Sequence, residues 1–457
     1  MHTNPNFMLN GRAVDLADAE PTQSLLRWLK SRQQHGTKEG CGDGDCGACT
    51  VAMVETDADG RSHYRAVNSC LLPMGALPGR EIVTVEGLAD GERLHPAQRV
   101  MVDGAGSQCG YCTPGFVMSL FVGTHDGDLS DHCIEGNLCR CTGYRPIRDA
   151  AKRLAALPIV EDRFGAALQQ PRAALTSARV GDFHNPGTLT EALALKQRHP
   201  DAIWIAGATD LGVNLSRGQT VAPAFIALDR IAELQGIDID TDAVRIGAGV
   251  SLSRIEHELA GLFPLLDDML PWFAAKQVKN RATFGGSLGS ASPIGDLAPI
   301  LLALGGSVHL AGPNGVRDLP IDGYFLDYRK TQRHADELIV AVTLPRPRDL
   351  VTASYKIAKR QTDDISIVAA SYAIRLDRDR RVLDVRLAYG GVAAIPSRAV
   401  KTEALLIGEV LGDALVERAR ASLVAEFAPL SDHRADADYR RALAGNLFAK
   451  FVAEKLA

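Results

Sequence analysis

The nine cysteines of this 457-residue chain all lie between Cys41 and Cys141, and residues 142–457 contain none. An odd number of cysteines crowded into one part of a chain is a poor framework for disulfides. The distribution therefore favours metal binding in the first third of the chain. The other two thirds must have a different task.

Composition narrows the class of protein. The hydrophobic fraction of 46% is ordinary for globular chains and the length predicts about three domains. A net charge of -5 without a basic block argues against nucleic acid as the main partner. The longest apolar run, Leu297–Leu304, is far shorter than the about 18 residues of a membrane span, and we expect Pro299 to interrupt it. With no secretion signal visible at the start, we expect a cytoplasmic chain without membrane segments.

The first cysteine set has the spacing of plant-type [2Fe–2S] ferredoxins. Cys41, Cys46 and Cys49 form a C-x4-C-x2-C motif, with Cys70 further along the chain. Glycines let the backbone wrap closely around an anionic cluster and direct N–H groups at sulfur; here they are Gly40, Gly42, Gly44 and Gly47. The alternatives are a structural zinc site, which prefers more closely paired ligands, or buried free thiols.

The second set consists of Cys109 with Cys112 and Cys139 with Cys141. Pro114 and Pro146 follow the two pairs, each near the expected first position of a helix. Two helix N-termini directed at one site would favour an anionic cluster, so we predict a second [2Fe–2S] centre. Zinc remains an alternative at this point, whereas a thioredoxin-like motif lacks its βαβ context.

The remaining metal-binding residue types give weaker signals. Cys133 is left over, and we expect a partly buried free thiol rather than a ligand. The twelve histidines show no H-x-E or H-x-x-x-H spacing of the kind that marks a mononuclear metal site.

Periodicity predicts the organisation of the chain. Residues 1–88 suggest short strands around the glycine-rich loop, residues 95–157 four short helices packed as a bundle, and residues 158–180 a connector. Alternating strands and helices follow, with capping boxes at Thr188–Glu191 and Ser253–Glu256. From about residue 350, three strands precede terminal helices.

Two glycine-rich turns in residues 181–345 suit a phosphate group. They are Trp204–Leu211, where a strand enters a tight turn, and Thr283–Pro293. Gly247-Ala248-Gly249 lacks the third glycine of a dinucleotide fingerprint and is expected to be a simple turn. From the residues alone, ordinary turns remain the alternative for the other two segments as well.

The cysteine motifs, read at full length, resemble the signatures of the molybdenum hydroxylase (xanthine oxidase) family and argue against zinc. The matching segments are Glu39-Gly40-Cys41, Asp45-Cys46-Gly47-Ala48-Cys49-Thr50, Gly106–Phe116 and Gly136–Pro146.

The resemblance implies a mixed α+β multidomain fold. It consists of a β-grasp plant-ferredoxin-like domain (1–88), a four-helix-bundle [2Fe–2S] domain (89–160), a linker (161–180), a two-subdomain α+β FAD-binding domain of the vanillyl-alcohol-oxidase type (181–348) and a C-terminal α+β flavoprotein domain (349–457).

The resemblance also assigns ligands. All eight motif cysteines would bind the two [2Fe–2S] clusters: Cys41, Cys46, Cys49, Cys70, Cys109, Cys112, Cys139 and Cys141. FAD would lie between two subdomains, contacting Trp204, Ile205, Ala206, Gly207, Ala208, Thr209, Asp210, Leu211, Phe273, Thr283, Phe284, Gly285, Gly286, Ser287, Asp296, Ile339 and Lys356. Phe273 would lie against the isoalloxazine.

Some positions depart from the family or carry a weaker match. Ala208 and Phe284–Ser287 stand where relatives often have Gly or Asn and Ile-Gly-Gly-Asn. Asp363 and Asp364 would form a loop over the flavin that helps to admit NAD, with Lys356 and Arg360 on one face of a strand. Tyr328-Arg329-Lys330 matches a segment on the same side.

The implied function is that of an electron-transfer small subunit. A molybdopterin-binding large subunit would hydroxylate hypoxanthine and xanthine to urate, in a heterotetramer of two small and two large subunits. Gln108 and Cys141 would face the molybdopterin. Electrons would pass through the helical-bundle cluster, the ferredoxin-like cluster and FAD to NAD, so this chain needs no general base.

Three alternatives stay open. The chain is also compatible with another molybdenum hydroxylase that acts on an aldehyde or an N-heterocycle and uses a different acceptor. A redox or iron sensor would need no flavin, and a structural zinc protein would hold neither iron nor acid-labile sulfide.

Overall fold

A computed structural model describes residues 5–57, 59–158, 161–360 and 362–456. They form two compact units. The first runs up to Ile231 and includes Ala275–Ala282; the second contains Ala232–Ala274 and continues from Thr283.

The chain begins with a five-stranded mixed sheet in the order β2-β1-β5-β3-β4, in which β1 and β5 are parallel. Asn10 and Gly11, both with positive φ, form the hairpin turn between the first two strands. Ser24 caps the helix that packs on the sheet through Trp28. The elements are β1 (Asn6–Leu9), β2 (Arg12–Asp15), α1 (Leu25–Ser31), β3 (Thr50–Thr56), β4 (Ser62–Asn68) and β5 (Glu81–Val83), with short 3-10 turns at Met74–Ala76 and Val85–Gly87.

The predicted helical bundle follows. Pro96 occupies the first position of its helix, and Pro114 and Pro146 the second, where a missing N–H leaves no bond unmade. Phe116 and Phe121 are fully buried and share a core with Tyr64 of β4. The helices are α2 (Pro96–Asp103), α3 (Thr113–Asp126), α4 (Asp131–Ile134) and α5 (Arg145–Ala155).

The rest of the first unit starts within the predicted linker, which contains a helix and a strand. The strand joins a four-stranded sheet in the order β6-β7-β9-β8, whose last three strands are parallel. The elements are α6 (Arg163–Leu168), β6 (Ala178–Val180), β7 (Phe183–Asn185), α7 (Leu189–Arg198), β8 (Ile203–Ile205), α8 (Leu211–Ser216) and β9 (Phe225–Ala227).

The described residues of the second unit form three antiparallel sheets, in the orders β10-β11-β16-β12-β13, β17-β18-β19-β20 and β14-β15. A 3-10 turn (Ala232–Leu234) precedes the first part: β10 (Ile237–Ile239), β11 (Ala243–Gly247), α9 (Leu252–Glu258) and α10 (Pro264–Phe273). The chain then enters the first unit as α11 (Lys276–Lys279).

On its return to the second unit the chain completes the first sheet and builds the second. The elements are α12 (Phe284–Ser290), α13 (Leu297–Leu304), β12 (Ser307–Gly312), β13 (Gly315–Pro320), β14 (Phe325–Asp327), β15 (Lys330–Thr331), β16 (Leu338–Pro345), β17 (Val351–Ile357), β18 (Val368–Leu376), β19 (Val382–Gly390), β20 (Ser397–Arg398), α14 (Val400–Leu406), α15 (Asp413–Glu426) and α16 (Ala437–Lys455). The last helix packs on its sheet through Phe448 and Phe451, against the buried Tyr372.

Three local predictions are wrong. Helix α9 is capped by Ser251, which accepts from the Arg254 N–H, so Ser253 lies inside the helix instead of opening it. Strand β17 ends at Ile357, so Arg360 does not share a strand face with Lys356. Pro299 does not interrupt the run Leu297–Leu304, because it lies in the first turn of α13, where its N–H is not needed.

Membrane-crossing segments are not found: within the described ranges, each helix is too short or too polar to span a bilayer.

Candidate functional site

The structure brings the four cysteines of the first set together. The N–H of Cys41 donates to Cys46 Sγ over 3.2 Å, and the N–H of Cys46 donates to Cys41 Sγ over 3.3 Å. Cys49 Sγ lies 3.3 Å from Cys70 Sγ, and both residues are buried. The four thiols therefore converge from a loop, the start of β3 and the turn after β4.

The loop has the geometry that an anionic cluster requires. Gly42, Gly44 and Gly47 adopt positive φ, which other residues reach only with strain. A methyl group at Gly40 would lie 2.5 Å from Cys46 Sγ. Converging thiols, backbone N–H groups directed at sulfur and a cradle with no room for side chains together fit a [2Fe–2S] cluster.

Hydrogen bonds between the thiols of the first set shift their pKa values in opposite directions. The Cys41 thiol lowers the pKa of Cys46 to about 6 by donating a hydrogen bond to it, while the pKa of Cys41 rises. In the same way, the bond from Cys70 lowers the pKa of Cys49, and the pKa of Cys70 rises. The lowered pKa values of Cys46 and Cys49 favour the thiolate form, which is the form that binds a metal.

The cysteines of the second set lie at or just before the N-terminal ends of two helices, α3 and α5. Cys112 is the N-cap residue of α3, and Cys141 lies four residues before α5 begins at Arg145. The Cys141 thiol donates a hydrogen bond to Cys109, and the Cys112 thiol donates one to Cys139. All four predicted ligands therefore meet, and the chemistry of the donor set fits a second [2Fe–2S] cluster.

Hydrogen bonds lower the pKa of one thiol of this set, that of Cys139. Burial raises the pKa of Cys139, but hydrogen bonds from the Thr142 hydroxyl (3.1 Å) and the Thr142 N–H (3.4 Å) stabilise its thiolate. The net effect is a lowered pKa. Burial raises the pKa of Cys112 to about 12. Tyr144, held at a φ of +68°, accepts the N–H of Cys139 on its hydroxyl.

The two cysteine loops touch each other directly. The N–H of Leu138 donates to the Cys46 carbonyl over 3.0 Å, and Asn137 Nδ2 donates to the Gly47 carbonyl over 2.9 Å. The Tyr111 hydroxyl donates to the Glu39 carbonyl. Each of these bonds joins a residue close to a ligand of one set with a residue close to a ligand of the other.

Cys133 belongs to neither set. It is buried in α4, its thiol donates to the Ser119 carbonyl over 3.1 Å, and burial raises its pKa to about 12. A protonated, hydrogen-bonded thiol is a structural group.

The segment Trp204–Leu211 forms a tight turn between β8 and α8. A methyl group at Gly207 would lie 1.6 Å from the Arg281 carbonyl oxygen, and Ala208 has a φ of +64°. Within the described residues, the backbone N–H groups of Gly207, Ala208 and Thr209 bind no protein acceptor. Adjacent unused donors form an anion-binding concavity, which fits a pyrophosphate.

Helix α8 links this turn to the first cysteine set. A methyl group at Gly212 would lie 2.5 Å from the carbonyl oxygen of Leu71, the neighbour of Cys70. At the other end of the helix, Ser216 donates to the Gly42 carbonyl and Arg217 pairs with Asp43 over 2.8 Å. The phosphate-type turn and the ferredoxin-type loop therefore pack on the same short helix.

The second glycine-rich segment opens α12 in the second unit. Thr283 Oγ1 accepts the N–H of Gly286, and the N–H groups of Gly285 and Ser287 donate to Ala248 and Thr283 carbonyls. These N–H groups are already used, so the half-exposed Ser287 hydroxyl is the polar group that the segment offers to a ligand. Gly247 and Gly249 form a simple turn against Leu234, as expected.

Three of the predicted flavin residues meet in the second unit. Lys356 Nζ donates to Asp296 Oδ2 over 3.0 Å and to the Phe273 carbonyl over 2.8 Å, and it lies 5.7 Å from the Phe273 ring centroid. Both charged side chains are almost fully buried. Ser366 donates to the other carboxylate oxygen of Asp296 over 2.6 Å. A buried, oriented ammonium beside an aromatic ring fits an electron-accepting ring system.

The other predicted positions lie apart from this group. Ile339 is buried in β16 and faces Gly289 of α12. Asp363 has a φ of +54° in a loop that is closed by bonds from Arg360 to the Asp363 carbonyl and the Asp364 carboxylate. Tyr328 is exposed at a hairpin with Arg329 over its ring.

Sequence reasoning missed a histidine cluster, because its members are distant in sequence. His95, His125 and Asp162 bring their ligand atoms within 4.8 Å of one another. The Ala97 N–H donates to His95 Nδ1, so a neutral His95 carries its proton on Nε2 and donates it to Asp162 over 3.0 Å. A metal at Nε2 would need the opposite tautomer, so this cluster is a hydrogen-bond tether.

Comparisons with known proteins agree with this geometry. Four family models match: a 2Fe-2S iron–sulfur cluster binding domain at 7–75, a [2Fe-2S] binding domain at 84–152, an FAD binding domain in molybdopterin dehydrogenase at 177–347, and a CO dehydrogenase flavoprotein C-terminal domain at 353–455. They define a chain with two iron–sulfur domains and a two-part flavoprotein.

Individual relatives point the same way. The chain is 31% identical to xanthine dehydrogenase 2 of Arabidopsis thaliana and 32% identical to xanthine dehydrogenase of Dictyostelium discoideum, each over 97% of its length. It spans only 39% and 40% of those relatives.

Solved structures extend the comparison. Carbon monoxide dehydrogenase from Hydrogenophaga pseudoflava, in a form which lacks the Mo-pyranopterin moiety, matches with a TM-score of 0.58 and 28% identity, over 62% of this chain and 99% of that one. Quinoline 2-oxidoreductase from Pseudomonas putida 86 matches with a TM-score of 0.56 and 25% identity, over 60% and 96%. The chain belongs to the molybdenum hydroxylase family, as an iron–sulfur and FAD chain. The expected family and fold class are confirmed.

Proposed function

We propose that this chain relays electrons from a molybdopterin-containing partner through two [2Fe–2S] clusters and FAD to NAD. The observation that carries the proposal is the direct bonding of the two cysteine loops. Leu138, the neighbour of Cys139, donates its N–H to the carbonyl of Cys46, itself a ligand position. A short path of covalent bonds and one hydrogen bond therefore connects the two sets.

The order of the relay follows from what each set contacts. Cys109 and Cys141 are exposed and offer a surface to a partner, together with the exposed Gln108. Cys49 and Cys70 are buried, and Leu71 packs against α8 at the end of the phosphate-type turn. This supports entry at the second set and exit from the first set towards the flavin.

The residues of the chain position the cofactors, which supply the chemistry: the clusters pass single electrons and FAD exchanges them singly or in pairs. Trp204–Leu211 would bind the pyrophosphate through its unused N–H groups, with Thr283–Ser287 contributing the Ser287 hydroxyl. Lys356 would hold a positive charge beside the ring that Phe273 supports, because Asp296 fixes its ammonium. Ile339 would contribute apolar contact.

The proposed substrate, electron acceptor and subunit assembly are supported by the similarity to xanthine dehydrogenases. Xanthine dehydrogenases match almost the whole chain, which supports purine hydroxylation on a partner large subunit and NAD as the acceptor. Asp363 and its loop, with Tyr328, would then admit NAD. A heterotetramer of two small and two large subunits completes the proposal. We propose the cytoplasm as its compartment, since thiolate ligands need reducing surroundings.

Similarity to quinoline 2-oxidoreductase and carbon monoxide dehydrogenase supports a second candidate. In it, the chain serves a hydroxylase that acts on another substrate and uses another acceptor.

An anaerobic titration of the purified chain with NADH separates the candidates. We expect bleaching of the flavin absorbance, followed by the EPR signals of two reduced clusters. Reduction by dithionite but not by NADH would reject NAD and favour the second candidate. Absence of flavin and iron would overturn the relay altogether. Lys356→Met is the matched variant: it should retain iron and lose flavin reduction by NADH.

A further inference from the structure

Gln277 lies where three parts of the first unit meet. The residue is 2% exposed, and its amide nitrogen lies 3.3 Å from Thr50 Oγ1, 3.2 Å from Ser119 Oγ and 3.3 Å from Asn137 Oδ1. The residue belongs to α11, only four positions after Phe273. The amide therefore joins a segment of the FAD-binding domain to both iron–sulfur domains.

The direction of these bonds is set by their neighbours. The Thr50 hydroxyl donates to the Gly47 carbonyl over 2.7 Å, and the Ser119 hydroxyl donates to Asn137 Oδ1 over 2.6 Å. Because both protons are committed, both oxygens must accept from Gln277. The amide nitrogen supplies two hydrogens to three acceptors, so one hydrogen is shared.

The acceptors are the residues that hold the two cysteine sets together. Thr50 follows Cys49, and Asn137 comes two residues before Cys139 and itself donates to the Gly47 carbonyl. Helix α11 is fixed on both sides of Gln277: Lys276 pairs with Asp128 over 3.3 Å, and Asn280 donates to the Ala66 carbonyl over 2.8 Å.

Packing alone does not explain this amide. Its oxygen, Gln277 Oε1, is buried and has no hydrogen-bond donor among the described residues. An unsatisfied buried acceptor costs stability, so an apolar side chain of the same volume would serve a purely packing role better. The amide is present at that cost because its donors face three acceptors at the junction.

We propose that Gln277 is a positioning residue for electron transfer, which fixes the separation and relative orientation of the two cysteine-bound clusters. The inference rests on the proposed relay, because it assumes that both sets hold clusters. Electron tunnelling falls steeply with distance, so a small displacement of the loop at Gly47 from that at Asn137 slows transfer.

The test compares Gln277→Glu with Gln277→Met and a control. The first variant keeps the shape and replaces the donor with an acceptor, and the second removes all polarity at similar volume. Gln197→Glu makes the same chemical change at an exposed position of α7. Each protein is reduced with dithionite, and its iron content and low-temperature EPR spectrum are recorded; the rate of electron transfer between the clusters is measured after rapid partial reduction.

We expect iron contents equal to that of the parent chain, a weakened magnetic interaction between the two cluster signals in both Gln277 variants, and a several-fold slower transfer between clusters. Gln197→Glu should match the parent. An unchanged interaction and rate in both Gln277 variants would overturn the proposal.

Ser119→Ala provides a second test if a Gln277 variant fails to bind iron. It removes one of the three acceptors of the Gln277 amide and leaves the other two. A smaller weakening is expected there, and full parental behaviour would contradict the proposal. A parent chain without two cluster signals would instead refute the proposed relay itself, so the two failures are distinguishable.

Discussion

The two cysteine sets, which we propose as the ligands of two clusters, differ in how deeply some of their thiols are buried. Cys49 and Cys70 of the first set are each 2% exposed within a small core that contains Leu26 and Leu71, whereas Cys109 and Cys141 of the second set are exposed. Two cysteines of the first set thus lie in the core of their domain and two of the second set lie at the surface near helix ends, while Cys41 of the first set is exposed and Cys139 of the second set is buried. Loss of a ligand should therefore have different consequences in the two places.

The largest expected effect comes from removing one ligand in each set. Cys49→Ala should lose the ferredoxin-type cluster and with it the buried link between β3 and the turn after β4, so the iron content falls by half and the Tm falls strongly. Cys141→Ala should also halve the iron content, with a much smaller change in Tm, because its surroundings are exposed.

Iron analysis, EPR and calorimetry of the two variants check this contrast. Equal losses of Tm would mean that the second cluster is as much a part of the folding core as the first.

A matched pair of glycines tests the junction between the loops. Gly47 and Gly143 have similar φ values, +66° and +64°, but a methyl group at Gly47 would lie 2.1 Å from the Gly136 carbonyl oxygen, and one at Gly143 meets nothing within 4 Å. Gly143→Ala should cost only the left-handed strain, about 1–2 kcal/mol of the free energy of unfolding. Gly47→Ala should cost more than that and also weaken the coupling of the two EPR signals.

Urea unfolding and EPR of both glycine variants decide the outcome. Similar costs, with unchanged coupling in Gly47→Ala, would mean that the two loops can separate freely.

The tether at the edge of the helical domain makes a smaller contribution. Burial opposes a charged Asp162, but hydrogen bonds from His95 and the Gly165 N–H lower its pKa to about 2. A depressed carboxyl pKa stabilises the fold fully above its ordinary value of 3.8, and that stability is lost only as the pH falls towards 2. Asp162→Asn should therefore lower the free energy of unfolding by the same amount at pH 5 and pH 7.

Urea unfolding at these two pH values checks the prediction. A loss that differs between the two pH values would contradict the prediction.

The smallest effect is expected at the ninth cysteine. Cys133→Ala should leave the iron content and both EPR signals unchanged, and it should cost about 1 kcal/mol for the lost bond to the Ser119 carbonyl. A fall in iron content would contradict the division of the cysteines into two sets of four.

The sequence could predict which cysteines come together, because the information for each set is local. Within each loop, ligand spacing, glycines and helix-starting prolines stand next to the residues they serve, and the structure brings those cysteines together. The capping box assigned to Ser253–Glu256 failed for the same local reason: Ser251 offers an equal cap two residues earlier, and Leu252 is already buried.

The flavin half could be predicted only through the resemblance. Phe273, Asp296 and Lys356 are far apart in sequence, and they meet because α10 and the start of α13 pack near β17. No periodicity marks Ser366 as a partner of Asp296. Gln277 was missed as well, because its role depends on acceptors contributed by two other domains.

The EPR spectrum of the dithionite-reduced chain, recorded with iron and acid-labile sulfide analysis, tests the proposed relay most directly. We expect two cluster signals of equal intensity that broaden one another at low temperature, because hydrogen bonds join the two cysteine loops. A single signal, two signals without mutual interaction, or zinc in place of iron and sulfide would contradict it.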